Sequence, residues 1–481
     1  MSQQTAALLT LVGYKALLIA IGFWAARRVK NEADFFLGGR QVGPVVSGLS
    51  YAASTSSAWV LLGFSGFVYG VGLSALWMLP GIWGGDVVVW LVLGPRLQDS
   101  SARHGFITLT DYLVDGVSGE AQRLLRVIAT LMIFVCFIFY IAAQFDAAAK
   151  AFVEQFELGF FESVLIGAVI IIVYAMLGGF WAVSVTDTVQ GMVMALIAVG
   201  LPVAAMAAAG GPSEVVTTLK ATAPPAYLDV TGNRSLLVFL GFVLGVMSVG
   251  LGTFGQPHLM ARLMAVADDK ARRQGFAIAM GWGIVVYLGM AALALAGRAL
   301  TNGSLGDGEV LFYRLAADVL PPVLGGVVIA AILSAVMSTV DSVLLSAAGA
   351  VAHDLGFNRR YPARALLISR IVMALIAIFA VGLTLGLPDS IFNRVLFAWS
   401  ALGAAFGPLL FARALGRQPS GAARLAAILL GFAVTVFFYV LGTLPGDEGL
   451  VALAKLPGDP FERLVPWVLP VLILWGTKKG D

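Results

Sequence analysis

Cysteine is nearly missing from this chain: Cys136 is the single one in 481 residues. An intramolecular disulfide and any CxxC metal or redox site are therefore excluded. Cys136 lies inside an apolar run and reads as a packing residue. Histidine is almost as scarce, and His104, His258 and His353 stand too far apart in sequence to match the ligand spacing of a zinc site. Charge is scarce as well: Asp, Glu, Lys and Arg make up 12% of the chain, about half the ~25% of an ordinary soluble domain. The net charge of +3 is spread over short loops, which argues against a nucleic-acid surface. Long polar stretches are missing, so no soluble domain is expected. The loops also supply no set of nucleophile, base and orienting group, which argues against an enzyme. Gly250, Gly252 and Gly255 spell GxGxxG, but no strand precedes them and they sit in an apolar run, so this is no dinucleotide fingerprint.

What the chain has in abundance is apolar length. Hydrophobic residues make up 59% of it and the mean hydropathy is +0.93, the composition of an all-α polytopic membrane protein. Counting runs of ~20 residues against a hydrocarbon core of ~30 Å gives thirteen spans. The first covers about 6–26 and the others centre near 56, 85, 135, 170, 195, 246, 285, 335, 375, 402, 432 and 469. The basic cluster Arg27, Arg28, Lys30 follows the first span, which reads as an anchor with its N-terminus outside rather than a signal peptide. With that orientation, 21 of the 30 Lys and Arg fall in cytoplasmic loops or ends, Arg262 among them. Glu154, Glu157, Asp307, Glu309, Asp447 and Glu448 gather outside. The expected topology is N-terminus out and C-terminus cytoplasmic, in one transporter domain spanning 1–481.

Two spans carry interruptions. Residues 52–58 of the second, AASTSSA, are small and hydroxylic, and the seventh holds Gly250, Gly252, Gly255 and Pro257 within eight residues. Broken helices free carbonyls and helix ends for ions and substrates; the same residues also suit close helix packing. The interruptions lie five spans apart, the spacing of two inverted five-helix repeats at about 42–210 and 235–416, with two further helices at about 420–478. In the ninth span, AILSAVMSTVDS at 331–342, helical geometry puts Ala335, Ser338, Thr339 and Ser342 on one face, with Asp341 on the flank beside Ser338. Such a face can hold a small hard cation, although intramembrane hydroxyls also bond their own turn or a neighbouring helix. Asp341 sharpens the reading, since an intramembrane carboxylate costs about 2.5–3.5 kcal/mol at a helix centre. It serves an ion, a proton or a partner helix.

The segments FFLGGRQVGPVVSGLS (35–50), LTDYL (109–113), GGFWAVSVTDTVQ (178–190), FGQPHLMARLMA (254–265), AAILSAVMST (330–339) and WSALGAAFGP (399–408) resemble the sodium/solute symporter family, most of all its sodium/proline branch. That resemblance implies the five-plus-five inverted repeat of the bacterial leucine transporters. It implies a sodium site made of the carbonyls of Ala53, Ser56 and Ala335 with the hydroxyls of Ser338 and Thr339. A second cation site, or a proton site, would involve Asp187, Asp341 and Ser342 beside Ser338; Asp187 could equally be a helix cap. For the solute it implies Ser57, Trp59, Tyr140 and Pro257, near Phe254. Val249 and Thr253 stand where the proline branch has Trp and Tyr, and Thr55 stands where it has Asp. A wider, less aromatic pocket suggests a solute other than proline.

The expected function is sodium-coupled import of a small polar solute, such as an amino acid, by alternating access in a bacterial inner membrane. Sodium is the coupling ion, the solute and the lipid bilayer are the partners, and no nucleic acid or obligatory protein partner is implied. The alternatives are a proton-coupled symporter of the same fold, with Asp341 or Asp187 as carrier, and a transporter-like solute sensor.

Overall fold

The computed structural model describes residues 3–27, 32–175, 179–321, 324–361, 364–387 and 389–476. Arg28 and Lys30 of the first basic cluster, Gly178 of the GGFWAV segment, and Lys478 and Lys479 lie outside them. Among the described residues the regular structure is helical, and the β pairing is one parallel bridge between Val42 and Val266. Nine helices there are long and apolar enough to cross a membrane.

We label the principal helices α1 (Gln3–Ala26), α2 (Pro44–Ala58), α3 (Met78–Val88), α4 (Gly119–Phe156), α5 (Phe160–Ala175), α6 (Phe180–Ala208) and α7 (Leu236–Met247). There follow α8 (Pro257–Ala265), α9 (Asp269–Thr301), α10 (Gly325–Gly349), α11 (Ala365–Gly386), α12 (Ile391–Ala414), α13 (Gly421–Thr443) and α14 (Val465–Gly476). Their ends follow local chemistry. Pro44 and Pro257 open α2 and α8 at the first turn, where a missing N–H costs nothing. Asp268 caps α9 by accepting from the Ala271 N–H at 2.7 Å, and α9 ends where Asn302 turns left-handed at φ 50°. Ser390 caps α12 through the Asn393 N–H at 3.0 Å.

Burial ranks the helices. In the most apolar stretches of Gly326–Asp354 and Ile391–Ala414, 94% of residues are buried, against 28% in Gly421–Thr443. So α10 and α12 form the centre and α13 lies at the rim. α10 packs against α1, α2, α4 and α6, and α12 packs against α4, α13 and α14.

Glycine sets the closest approaches. A Cβ on Gly250 would lie 1.9 Å from the Gly81 carbonyl oxygen, and one on Gly255 would lie 2.0 Å from that of Leu402. The glycines of the seventh span therefore serve close packing as well as the break, both readings that the sequence left open. Gly250→Ala is expected to force α3 away from this segment and to cost about 1–3 kcal/mol as an overpacking change. A lowered thermal unfolding midpoint of the detergent-purified protein would register it, and an unchanged midpoint would show that the contact yields freely.

Candidate cation and solute site

The second span is broken at one residue. Ser57 has φ 48° and ψ −171° inside an otherwise helical run, a left-handed φ that costs a non-glycine residue about 1–3 kcal/mol. Its hydroxyl accepts from the Trp59 N–H at 3.0 Å, and the neighbouring Ala58 N–H donates to Gln144 Oε1 of α4 at 3.1 Å. The break is thus held from both sides. The second interruption is a chain of short turns through Val249–Gly252 and Thr253–Gly255, with Gln256 extended before Pro257 restarts the helix.

Beside the first break, four of the five oxygens expected to hold a cation converge. Ser338 Oγ lies 3.4 Å from the Ala53 carbonyl and 3.1 Å from that of Ala335; Thr339 Oγ1 lies 3.1 Å from the Ala335 carbonyl and 3.5 Å from that of Ser54. The Ser56 carbonyl accepts the Trp59 N–H. Ser54, absent from the expected set, therefore presents a further carbonyl to Thr339. Carbonyls from the turn before the Ser57 break and from the intact helix α10, with two hydroxyls, make the oxygen-only environment that hard cations prefer.

One turn away, Asp187 and Ser342 meet a residue that was not expected there. Arg262 is buried, not a loop residue. Its Nη2 lies 2.7 Å from Asp187 Oδ2 and 2.6 Å from both Ser54 Oγ and Ser342 Oγ; its Nε donates to Ser50 Oγ at 2.9 Å and its Nη1 to the His258 carbonyl at 2.7 Å. Asp187 is the eighth residue of α6, fully buried, so it does not cap that helix. Ser50 Oγ donates to the same carboxylate at 2.8 Å. Asp341 is also buried but stands on the flank of α10 that carries Ser334, whose hydroxyl meets Tyr14 of α1 at 2.6 Å. The structure thus joins Asp187 and Ser342 through Arg262 and turns Asp341 toward α1.

The expected solute positions divide. Tyr140 sits in edge contact with Trp399 at 6.4 Å and with His258 at 6.0 Å, one turn before Gln144 on the same face of α4. Among the described residues, the buried Gln144 Nε2 and Trp59 Nε1 have no hydrogen-bond partner, and the Tyr140 hydroxyl faces Ser57, Thr339 and Trp399 without a hydrogen bond of ordinary geometry. Trp59 stacks on Phe392 at 5.7 Å, and Val249 and Thr253 are buried. Phe254 instead packs on Phe411 at 4.9 Å and Trp467 at 5.9 Å, toward α12 and α14. Pro257 lines a cavity of about 30 Å³ together with Thr108, Phe180, His258, Arg262 and Ser342. Sequence reasoning missed Gln144, Ser50, Ser54 and Arg262, along with Asp86, which accepts from the Tyr51 hydroxyl at 2.8 Å. Polar residues within apolar runs were the available signal.

Charged networks fasten the two ends of the bundle. At the Thr108 end, Arg126 donates to Asp111 at 2.8 Å and to Asp354 at 3.3 Å, while His353 meets Asp111 at 2.9 Å. At the other end Lys150 donates to Asp307 at 3.0 Å and Glu309 at 2.7 Å, and Glu309 caps α12 through the Ile391 and Phe392 N–H groups. A cavity of about 660 Å³ opens at that same end, lined by Asp389, Arg394, Tyr439, Lys455, Glu462 and Arg463 among others. Burial raises the Glu462 carboxyl to about 7, against the opposing pull of Arg463.

Residues 35–418 match the model of the sodium:solute symporter family. The sodium/proline symporter of Salmonella typhimurium is 33% identical over 485 aligned residues, covering 96% of this chain and 95% of its own length. The osmoregulated proline transporter OpuE of Bacillus subtilis is 31% identical, covering 92% of this chain and 90% of its own length. Among solved structures, a substrate-bound, outward-open Na+-coupled sialic acid symporter aligns with a TM-score of 0.78 at 15% identity, over 99% of this chain and 98% of its own. MhsT in complex with L-phenylalanine aligns with a TM-score of 0.55 at 14% identity, over 90% of this chain and 98% of its own.

Removing one partner of a buried ion pair strands the other charge, at about 3–5 kcal/mol. Asp187→Asn should therefore destabilise the purified protein strongly, and Asp187→Asn combined with Arg262→Gln should be more stable than Asp187→Asn alone. Thermal unfolding of the wild type, the two single variants and the double variant measures the coupling; additive losses would mean that the pair does not interact.

Proposed function

Because the chain belongs to the sodium:solute symporter family, we propose that it imports an amino acid together with sodium by alternating access. It is an integral membrane protein, and its relatives are bacterial transporters, not enzymes. The reading is carried by the convergence of Ala53, Ala335, Ser338 and Thr339 oxygens at the Ser57 break. Sodium, as cargo, would bind there. Each inward charge gains about 2.3 kcal/mol per 100 mV of membrane potential, and 1.4 kcal/mol is about tenfold in concentration. One coupled ion thus suffices to accumulate a neutral zwitterion.

Thirteen crossings in a five-plus-five inverted repeat remain our topology. The stretch Pro44–His104 is 61 residues long and its helix breaks at Gly72, φ 82°. A straight helix of that length would reach about 90 Å, three hydrocarbon thicknesses, so it supplies two spans. The short apolar stretches Val12–Trp24 and Phe160–Ile172, with α14, complete the set together with α8, which continues the seventh span past its break. Arg40, Arg126, Arg413, Arg417 and Arg424 cluster at the Thr108 end, which supports a cytoplasmic assignment for it.

The donors of Tyr140, Gln144, Trp59 and Trp399 suit a carboxylate placed between the two breaks. Sodium is favoured over a proton as the coupling ion because Asp187, one candidate proton carrier, is already held by Arg262. Ser338→Ala and Thr339→Ala each delete a neutral ligand to a charged ion, worth about 1.5–3 kcal/mol. Each should raise the sodium concentration for half-maximal uptake tenfold or more at normal expression; an unchanged sodium dependence in both would refute the cation site.

The named relatives make proline the first solute to test. Val249 and Thr253 support a wider pocket than theirs, so proline should be taken up with low affinity and a larger amino acid preferred. Val249→Trp with Thr253→Tyr should shift selectivity toward proline. Competition of radiolabelled proline uptake by other amino acids in proteoliposomes decides this, and tight, proline-selective uptake by the wild type would count against the wider pocket.

A further inference from the structure

We propose that the cavity of about 660 Å³ between α11, α12, α13 and residues 449–463 binds the headgroup of a phospholipid that carries both a phosphate and a primary ammonium, the phosphate on Arg394, Lys455 and Arg463 and the ammonium on Asp389 and Glu462. None of the residues placed at the cation and solute site lines this cavity.

Opposite charges line the cavity without neutralising each other. Arg394, 2% exposed, gives Nη2 to the Leu387 carbonyl; among the described residues its Nη1 has no acceptor and no carboxylate pairs with it. Asp389, earlier in the chain, accepts there from neutral donors only: the Ser390 N–H at 2.7 Å, Asn393 Nδ2 at 3.1 Å and the Tyr439 hydroxyl at 3.2 Å. Arg463, 3% exposed, pairs with Asp459 through Nη2 and leaves Nε and Nη1 without acceptors. Lys455 donates to the Gly446 carbonyl and to Asp447, which leaves a third N–H. Buried guanidinium donors without acceptors are costly. A ligand with an anionic and an ammonium group answers both halves of the pocket at once.

The position of the cavity in the bundle points to a lipid. It opens where α11 ends at Gly386, α12 begins at Ile391 and α13 ends at Thr443, and all three are apolar enough to cross a membrane. The ends of such spans stand at the level where hydrocarbon gives way to headgroups. Beside the charged groups, Phe139, Leu383 and Leu387 form an apolar wall, and Leu387 is 63% exposed. A water-borne zwitterion would use the polar half alone, whereas the glycerol and acyl carbons of a lipid can lie along that wall. Two guanidinium groups and an ammonium also suit the oxygens of a phosphodiester better than a single carboxylate, which one guanidinium fork already satisfies. Basic pockets between membrane helices take phospholipid headgroups in this way.

Calorimetric titration of the delipidated, detergent-purified full chain with dihexanoyl phosphatidylethanolamine tests this without knowledge of the solute. One molecule should bind per chain. Binding should be about tenfold tighter than that of dihexanoyl phosphatidylcholine, whose trimethylated nitrogen cannot donate, and of dihexanoyl phosphatidylglycerol, which has no nitrogen. O-Phosphoethanolamine, the headgroup without chains, should bind about tenfold more weakly than the lipid. Lys455→Gln and Glu462→Gln change partly exposed positions, so both variants should fold, and each should weaken binding of the phosphatidylethanolamine about fivefold or more. Equal affinity for the three lipids, binding of the free headgroup as tight as that of the lipid, unchanged binding in both variants, or no saturable binding overturns the proposal.

Discussion

A backbone amide or carbonyl cannot be left facing hydrocarbon without a partner, and the architecture of this transporter follows from that constraint. Its two central interruptions, at Ser57 and at Val249–Gln256, free backbone groups inside apolar spans, so both must be enclosed by protein. Enclosure explains why α10 and α12 are almost wholly buried and why glycines stand at the contacts with Gly81, Leu402 and Trp399. It also explains Gln144, a polar side chain in an apolar helix, which satisfies the Ala58 N–H next to the break.

Charge inside the bundle obeys the same accounting. Asp187 is matched by Arg262. Asp354, 5% exposed, shares Arg126 with Asp111 and accepts from Thr108 at 2.6 Å. Such pairs add little net stability over an apolar core, yet removing one partner is costly. They would suit the alternating-access cycle proposed above, because a second arrangement would have to supply new partners. Asp111, His353 and Arg126 tie the short helix Leu109–Val114 to α4 and to the end of α10 at the end assigned to the cytoplasm; Lys150 and Glu309 tie α4 to the start of α12 at the other.

Similarity to known proteins separates scaffold from pocket. A solved symporter of 15% identity shares the fold at a TM-score of 0.78, which means that helix packing survives near-complete replacement of side chains. Relatives of 31–33% identity span nearly the whole chain. Val249 and Thr253, which the resemblance sets against aromatic residues of the proline branch, are buried at the second interruption.

The membrane class, the helical architecture and the two interruptions were legible in the residues, because hydropathy and glycine or hydroxyl clustering are properties of contiguous sequence. So was the face of Ala335, Ser338 and Thr339, since helical periodicity alone aligns those residues. Phe254 was placed near the solute on proximity in sequence, whereas its ring packs outward on Phe411 and Trp467. Arg262 was counted with loop charges because a basic residue after a broken span usually ends in water. Only the tertiary structure could bring it against Asp187, 75 positions earlier, and Ser342, 80 positions later. Local pattern determines which residues can enter the bilayer; the partner that makes a buried charge tolerable is chosen by packing among helices distant in the chain.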